Sequence, residues 1–169
     1  MLSDGRVVIL RTPKPSDLDD MLSLINSLVA EKAQITVTEK VTREKEREFL
    51  RELLLQLRAD RVFFVVAVLG DQIIASSDLQ TAGEQTGSIG LVVKSGFRGL
   101  GVGTEILGVM SAHAKSVGIK VLSVTVFVTN TPAIRLYRKM GFVELAGSNR
   151  RLIRNGESVD EMTMTKQTE

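Results

Sequence analysis

Residues 61–80 read RVFFVVAVLGDQIIASSDLQ, and this stretch limits the fold more than any other. Its first half is crowded with valine and phenylalanine, as in a strand buried in a sheet. Gly70-Asp71 is a two-residue hairpin signal, and the second half returns as the next strand. The residues before it follow a different period. Ser16 with Asp19 gives a capping-box pattern, and Leu18, Met21, Leu22, Ile25, Leu28 and Val29 then share one helical face. A second helix is expected after Thr42, with Glu44 and Glu46 near its positive end and a stripe of Phe49, Leu50, Leu53, Leu54 and Leu57. Arg6–Arg11 reads as a short strand ahead of both.

The alternation continues downstream. GSIGLVVK is a further strand. A helical stripe follows at Ile106, Leu107, Met110, Ala114 and Val117, and Gly118 is a plausible stop. In IKVLSVTVFV, Leu122, Val124, Val126 and Val128 fall on one face of a strand. Pro132 suits the first turn of a short helix that Gly141 ends. FVEL starts another strand, and Asn155-Gly156 turns SNRRLIR into ESVDEMTMT. The predicted order is β α α β β β α β α β β, a mixed α/β fold in a single domain spanning residues 1–169.

Composition narrows the chemistry. The chain has no cysteine and one histidine, which excludes a disulfide framework and a cysteine nucleophile and argues against a zinc site. No metal is expected. No apolar run is long enough to span a bilayer, and MLSDGRVVIL lacks the pattern of a secretory signal. A cytoplasmic location is the expectation. Residues 1–93 carry 11 basic and 14 acidic side chains, and residues 94–169 carry 11 and 6. The basic second half suits an anionic ligand. One tyrosine, six phenylalanines and no tryptophan offer little for base stacking, so nucleic acid is not an expected partner.

The candidate anion site is KSGFRGLGVGTEI, residues 94–106, between a strand and a helix. It fails the dinucleotide pattern GxGxxG, because Thr104 and Ile106 stand where the third glycine belongs. It also fails the Walker pattern, because Val102 replaces the lysine. What remains is RxxGxG at Arg98, Gly101 and Gly103. Glycines let an anion approach the main chain, and a helix start offers free N–H groups, so a diphosphate is the expected ligand group. A tight strand-to-helix turn is the plain structural alternative.

VFVTNTPAIRLYRKMGF, residues 126–142, completes the pattern. Together the two stretches resemble the GCN5-related N-acetyltransferase (GNAT) superfamily. The match runs through Arg98, Gly101 and Gly103, then Asn130, Ala133, Leu136, Tyr137, Gly141 and Phe142. The resemblance covers residues 86–166 specifically and the N-terminal half only in pattern. It implies a mostly antiparallel central sheet flanked by helices, and transfer of an acetyl group from acetyl-CoA to an amine. It implies that main-chain groups of Leu91, Val92 and Val93 pair with the pantetheine arm. The amides from Arg98 through Gly99, Gly101, Val102, Gly103 and Thr104 would cradle the diphosphate. Asn130 would reach the pantetheine, Ala133 would leave room for it, and Arg138 or Lys139 would meet the 3′-phosphate. Tyr137 would protonate the departing thiolate, with an ordinary phenol pKa of ~10.

The chain departs from the family at the base. Many members carry a glutamate where Gly87 and Ser88 stand here. Glu84 is the nearest carboxylate and is expected in a supporting role through water. Glu31, Glu39, Asp160 and Glu161 read more simply as surface acids. His113 reads as a surface residue, and Arg150, Arg151 and Arg154 as a solvated strand face, with an acidic substrate as the alternative. The last hairpin resembles that of small-molecule acetyltransferases, which points to an amino acid or polyamine-like acceptor. A protein N-terminus or lysine, or a non-catalytic acyl-CoA sensor, are the alternatives. Homodimerisation stays open.

Overall fold

The structure, a computed structural model, describes residues 1–168. The chain forms two compact units, Met1–Asp78 with Leu91–Ile106, and Leu79–Gly90 with Leu107 onward.

In the first unit, β1 (Ile9–Arg11) pairs antiparallel with β2 (Val62–Leu69), with Ile9 opposite Val68 and Arg11 opposite Val66. The order continues through β3 (Gln72–Thr81) to β4 (Thr86–Val93), strands that belong to both units. Gly70, at φ 59°, makes the expected turn between β2 and β3. Residues Phe64 to Ala67 are all buried, so this strand is covered on both faces. The unit's two long helices are α1 (Leu18–Ala30) and α2 (Arg43–Arg58). Leu18, Met21, Leu24 and Leu28 from α1 and Leu50 and Leu53 from α2 join Phe64, Val66 and Ile73 in one core. Leu24 is a member that the sequence stripe left out. Thr42 caps α2 as expected, its hydroxyl accepting the Lys45 N–H at 3.3 Å.

Two local expectations change. β1 starts at Ile9 rather than Arg6, and Asp4 takes the Arg6 N–H and Nε at 3.1 and 2.7 Å in the turn ahead of it. The capping box lies not at Ser16 and Asp19 but two residues earlier. Asp17 accepts the Lys14 N–H at 2.7 Å and closes a short 3-10 turn over Pro15–Asp17.

In the second unit, β4 pairs in parallel with β5 (Val121–Phe127) over Thr86–Ser88 and Val121–Ser123. β5 pairs antiparallel with β8 (Glu157–Gln167) from Val121–Gln167 to Phe127–Glu161. β8 also pairs with β6 (Val143–Glu144) and β7 (Arg150–Arg154). The sequence reading ran β6 and β7 together. Gly147, at φ 73°, bends the chain between them, so each meets a different part of β8. Asn155 and Gly156, at φ 52° and 80°, form the β7–β8 turn. The helices are α3 (Val102–Ser116), which begins in the first unit, and α4 (Thr131–Lys139). Leu107, Met110 and Ala114 of α3 are fully buried, while Val117 lies past the helix and is exposed. The result is a mixed α/β fold with a mostly antiparallel sheet and flanking helices.

Candidate functional site

β4 ends at Val93, and the Lys94 N–H bonds the Ile74 carbonyl at 2.8 Å. The chain then turns through Gly96, Gly99 and Gly101 at φ 83°, 77° and 94°. These left-handed values are strained for any L side chain, which explains the glycines in conformational terms. Space is not the reason. A Cβ built on any of the three meets no atom within 4 Å. The surface above these glycines is open to a ligand.

The helix that follows presents donors there. Its first internal bond runs from the Glu105 N–H to the Gly101 carbonyl at 3.1 Å. The amides of Val102, Gly103 and Thr104 therefore precede the helical ladder. Free amides, the positive end of a 15-residue helix and an uncrowded main chain suit a diphosphate.

Arg98 does not extend into solvent alone. Its Nε donates to the Val93 carbonyl at 2.9 Å, and its Nη2 pairs with the Glu31 carboxylate. The N-terminal segment meets other loop atoms. The Ser3 N–H bonds the Leu100 carbonyl at 3.0 Å, and the Arg6 guanidinium lies 5.4 Å from the Phe97 ring centroid. Sequence reasoning did not find these contacts, because no local pattern signals pairing across such separations.

The parallel β4–β5 register stops at Ser88, so Leu91, Val92 and Val93 lie outside it. Val92 packs on the first unit's core. Gly87, one of the two positions that lack a carboxylate, is crowded. A Cβ there would come 2.8 Å from Leu79 Cδ1 and 3.1 Å from Ile119 Cδ1, so a larger residue would have to push both side chains aside. Glu84 is exposed in the β3–β4 turn, at the end of β4 away from the glycine loop.

Asn130, Ala133, Tyr137 and Lys139 gather on α4. Asn130 caps the helix, its Oδ1 accepting the Ala133 N–H at 3.3 Å. Tyr137 is 6% exposed, and burial pushes its phenol up to about 12. Arg138 pairs with Glu144, while Lys139 is exposed at the helix end. The remaining acids and bases sort simply. Arg150 meets Glu161 at 2.7 Å and Arg151 meets Asp160 at 2.8 Å, each across the last hairpin. Glu39 is exposed, and His113 is half-buried on α3. Glu46, which the sequence placed merely near the start of α2, is 6% exposed, and burial raises its carboxyl. Among the described residues, no three His, Asp or Glu groups are placed to hold a metal ion. No described helix is long and apolar enough to cross a membrane.

Comparison with known proteins places this geometry. YwnH of Bacillus subtilis, provisionally named a phosphinothricin acetyltransferase, is 26% identical over 140 residues, 80% of this chain and 83% of that protein. The L-amino acid N-acetyltransferase AaaT of Escherichia coli is 34% identical over 79 residues, 46% of this chain and 48% of its own. The Salmonella typhimurium protein yncA, provisionally assigned as an acetyltransferase and solved with acetyl-CoA, superposes with a TM-score of 0.80. That match covers 96% of this chain and 94% of yncA at 17% identity, so it speaks for the fold. The family model for the acetyltransferase (GNAT) family matches residues 26–142. With its strand end, glycine turn and helix start in that span, the chain belongs to the GNAT family of acetyltransferases.

Proposed function

We propose that this acetyltransferase takes its acetyl group from acetyl-CoA and gives it to the primary amine of a small molecule, an amino acid or a polyamine-like compound. One observation carries the cofactor reading. The amides of Val102, Gly103 and Thr104 lead α3 beside glycines whose Cβ directions are open. They are the proposed diphosphate ligands, together with main-chain groups of Arg98, Gly99 and Gly101. Leu91, Val92 and Val93, beyond the β5 register, offer backbone donors and acceptors to the pantetheine arm. Asn130 spends its oxygen on the α4 cap and keeps its amide NH2 to donate to that arm. Lys139 is the proposed 3′-phosphate partner, since Arg138 already faces Glu144.

Acetyl-CoA brings an activated thioester, whose carbonyl accepts the amine as CoA departs as a thiolate. A main-chain N–H near Val92 or Val93 would stabilise the charge that grows on the carbonyl oxygen. Tyr137 is the proposed donor to the departing sulfur. Its phenol at about 12 stays protonated throughout the working pH range. Full transfer to a thiolate of pKa ~8.5 would be uphill by roughly 5 kcal/mol. Tyr137 therefore stabilises the sulfur by donating a hydrogen bond, and solvent supplies the final proton. No carboxylate stands at Gly87 or Ser88, so the acceptor ammonium loses its proton to water.

The small-amine reading rests on the names of YwnH and AaaT and on the last hairpin. A thiol-release assay tests it with acetyl-CoA and a panel of amino acids, polyamines and peptides with free N-termini. Turnover with free amino acids or polyamines supports the reading. Turnover with peptides alone assigns a protein acceptor, and binding without turnover assigns a sensor.

A further inference from the structure

Residues 2–6 form a closed turn set against the glycine loop. The Leu2 N–H bonds the Arg6 carbonyl at 2.8 Å, and the Gly5 N–H bonds the Leu2 carbonyl at 3.0 Å. Asp4 braces the same turn by accepting the Arg6 N–H and Nε. Leu2 is 3% exposed, so an apolar side chain anchors the turn. Two contacts join it to the loop. The Ser3 N–H donates to the Leu100 carbonyl at 3.0 Å, and the Arg6 guanidinium sits 5.4 Å from the Phe97 ring centroid.

The Leu100 carbonyl and the Gly101 N–H belong to one planar trans peptide and point in opposite directions. Ser3 holds the carbonyl, so the Gly101 N–H points away from the N-terminal turn. No described residue accepts that N–H, and no other described group bonds the Leu100 carbonyl. The next tie along the chain, from the Glu105 N–H to the Gly101 carbonyl, fixes the following peptide instead. Gly101 cannot hold the peptide by itself. It sits at φ 94° and accepts a negative φ as readily, so a half-turn of the peptide would carry the N–H round with no steric penalty there.

We infer that Ser3 is a positioning residue for the cofactor: its N–H fixes which way the Leu100–Gly101 peptide faces and so presents the Gly101 N–H to the diphosphate. The role belongs to the main chain and not to the Ser3 hydroxyl. The inference rests on the acetyl-CoA reading above. One neutral hydrogen bond sets the scale, about three- to tenfold in affinity. By linkage, bound cofactor tightens the Ser3 bond by the same factor.

Ser3→Pro removes the N–H, and Ser3→Ala keeps it. In calorimetry Ser3→Pro is expected to bind acetyl-CoA about three- to tenfold more weakly, while Ser3→Ala matches wild type. Amide hydrogen exchange on the wild-type chain needs no variant. Saturating acetyl-CoA should slow exchange of the Ser3 N–H by about the same factor. Unchanged affinity in a folded Ser3→Pro, an equal loss in Ser3→Ala, or a Ser3 N–H whose exchange ignores acetyl-CoA overturns the inference and leaves the cofactor reading intact. Absence of any acetyl-CoA binding by wild type removes both.

Discussion

The ring of Tyr137 lies against that of Phe142, with centroids 5.8 Å apart and planes at 59°. The contact holds the phenol ring in place on α4. Removing only that oxygen separates donation from packing. Tyr137→Phe is expected to lower kcat by roughly 10²-fold while KM for acetyl-CoA moves less than about threefold. Steady-state kinetics checks this. An unchanged kcat would reduce Tyr137 to a packing residue.

Tyr137 is the sole tyrosine, and the chain has no tryptophan, so the phenolate absorbance reports one group. Spectrophotometric titration should give a midpoint near 12, where an open phenol gives ~10. The raised value means that the folded state holds its proton where the unfolded state has lost it. Stability linked to this group is complete below pH ~10 and falls as pH rises towards 12. In Tyr137→Phe that alkaline loss should be smaller. A midpoint near 10 with the circular dichroism intact would show an open phenol.

Asp17 receives Arg11 through Nη1 at 2.7 Å and Nη2 at 2.8 Å, and its side chain is 7% exposed. Arg11 beside it holds the carboxyl below its ordinary value. Asp17→Ala should cost about 2–3 kcal/mol, since it strips Arg11 of its partner and opens the Lys14 turn. Urea unfolding measures this. The lowered value makes the contribution complete above pH ~4, and it is lost as pH falls through the folded-state value. The gap between wild type and variant should therefore narrow in acid.

An alkyl-amine acceptor has a pKa of ~10.4, and the site offers no carboxylate at Gly87 or Ser88. The kcat/KM profile should climb towards the amine's own pKa without a plateau near neutrality. Glu84→Gln should change kcat/KM by less than about tenfold, well under the loss of a true general base. A neutral plateau abolished by Glu84→Gln, or by the same change at Glu39, would place a base that this account lacks.

Local chemistry was legible in the sequence. The turns at Gly70 and Asn155-Gly156, the Thr42 cap and the glycine stretch before α3 each depend on a few adjacent residues, and all form as read. Features decided by distant partners were not legible. Nothing near Glu31 announces Arg98, and nothing near Gly87 announces that Leu79 and Ile119 close over it. Glu46 sits in a charged run, REKERE, yet helical spacing puts it in line with the buried Leu50 and Leu53. The break between β6 and β7 hinges on one glycine whose turn only pairing with β8 reveals.

The central claim is that the main chain around Gly101 holds acetyl-CoA, and calorimetric titration of wild type and Gly101→Val tests it most directly. Gly101 sits at φ 94°, so a β-branched side chain both strains the turn and fills the open surface beside the amides. The account predicts saturable acetyl-CoA binding by wild type. In a variant whose circular dichroism matches wild type, it predicts affinity at least about tenfold weaker, a loss of about 1.4 kcal/mol. No binding by wild type, or equal affinity in the folded variant, would contradict it.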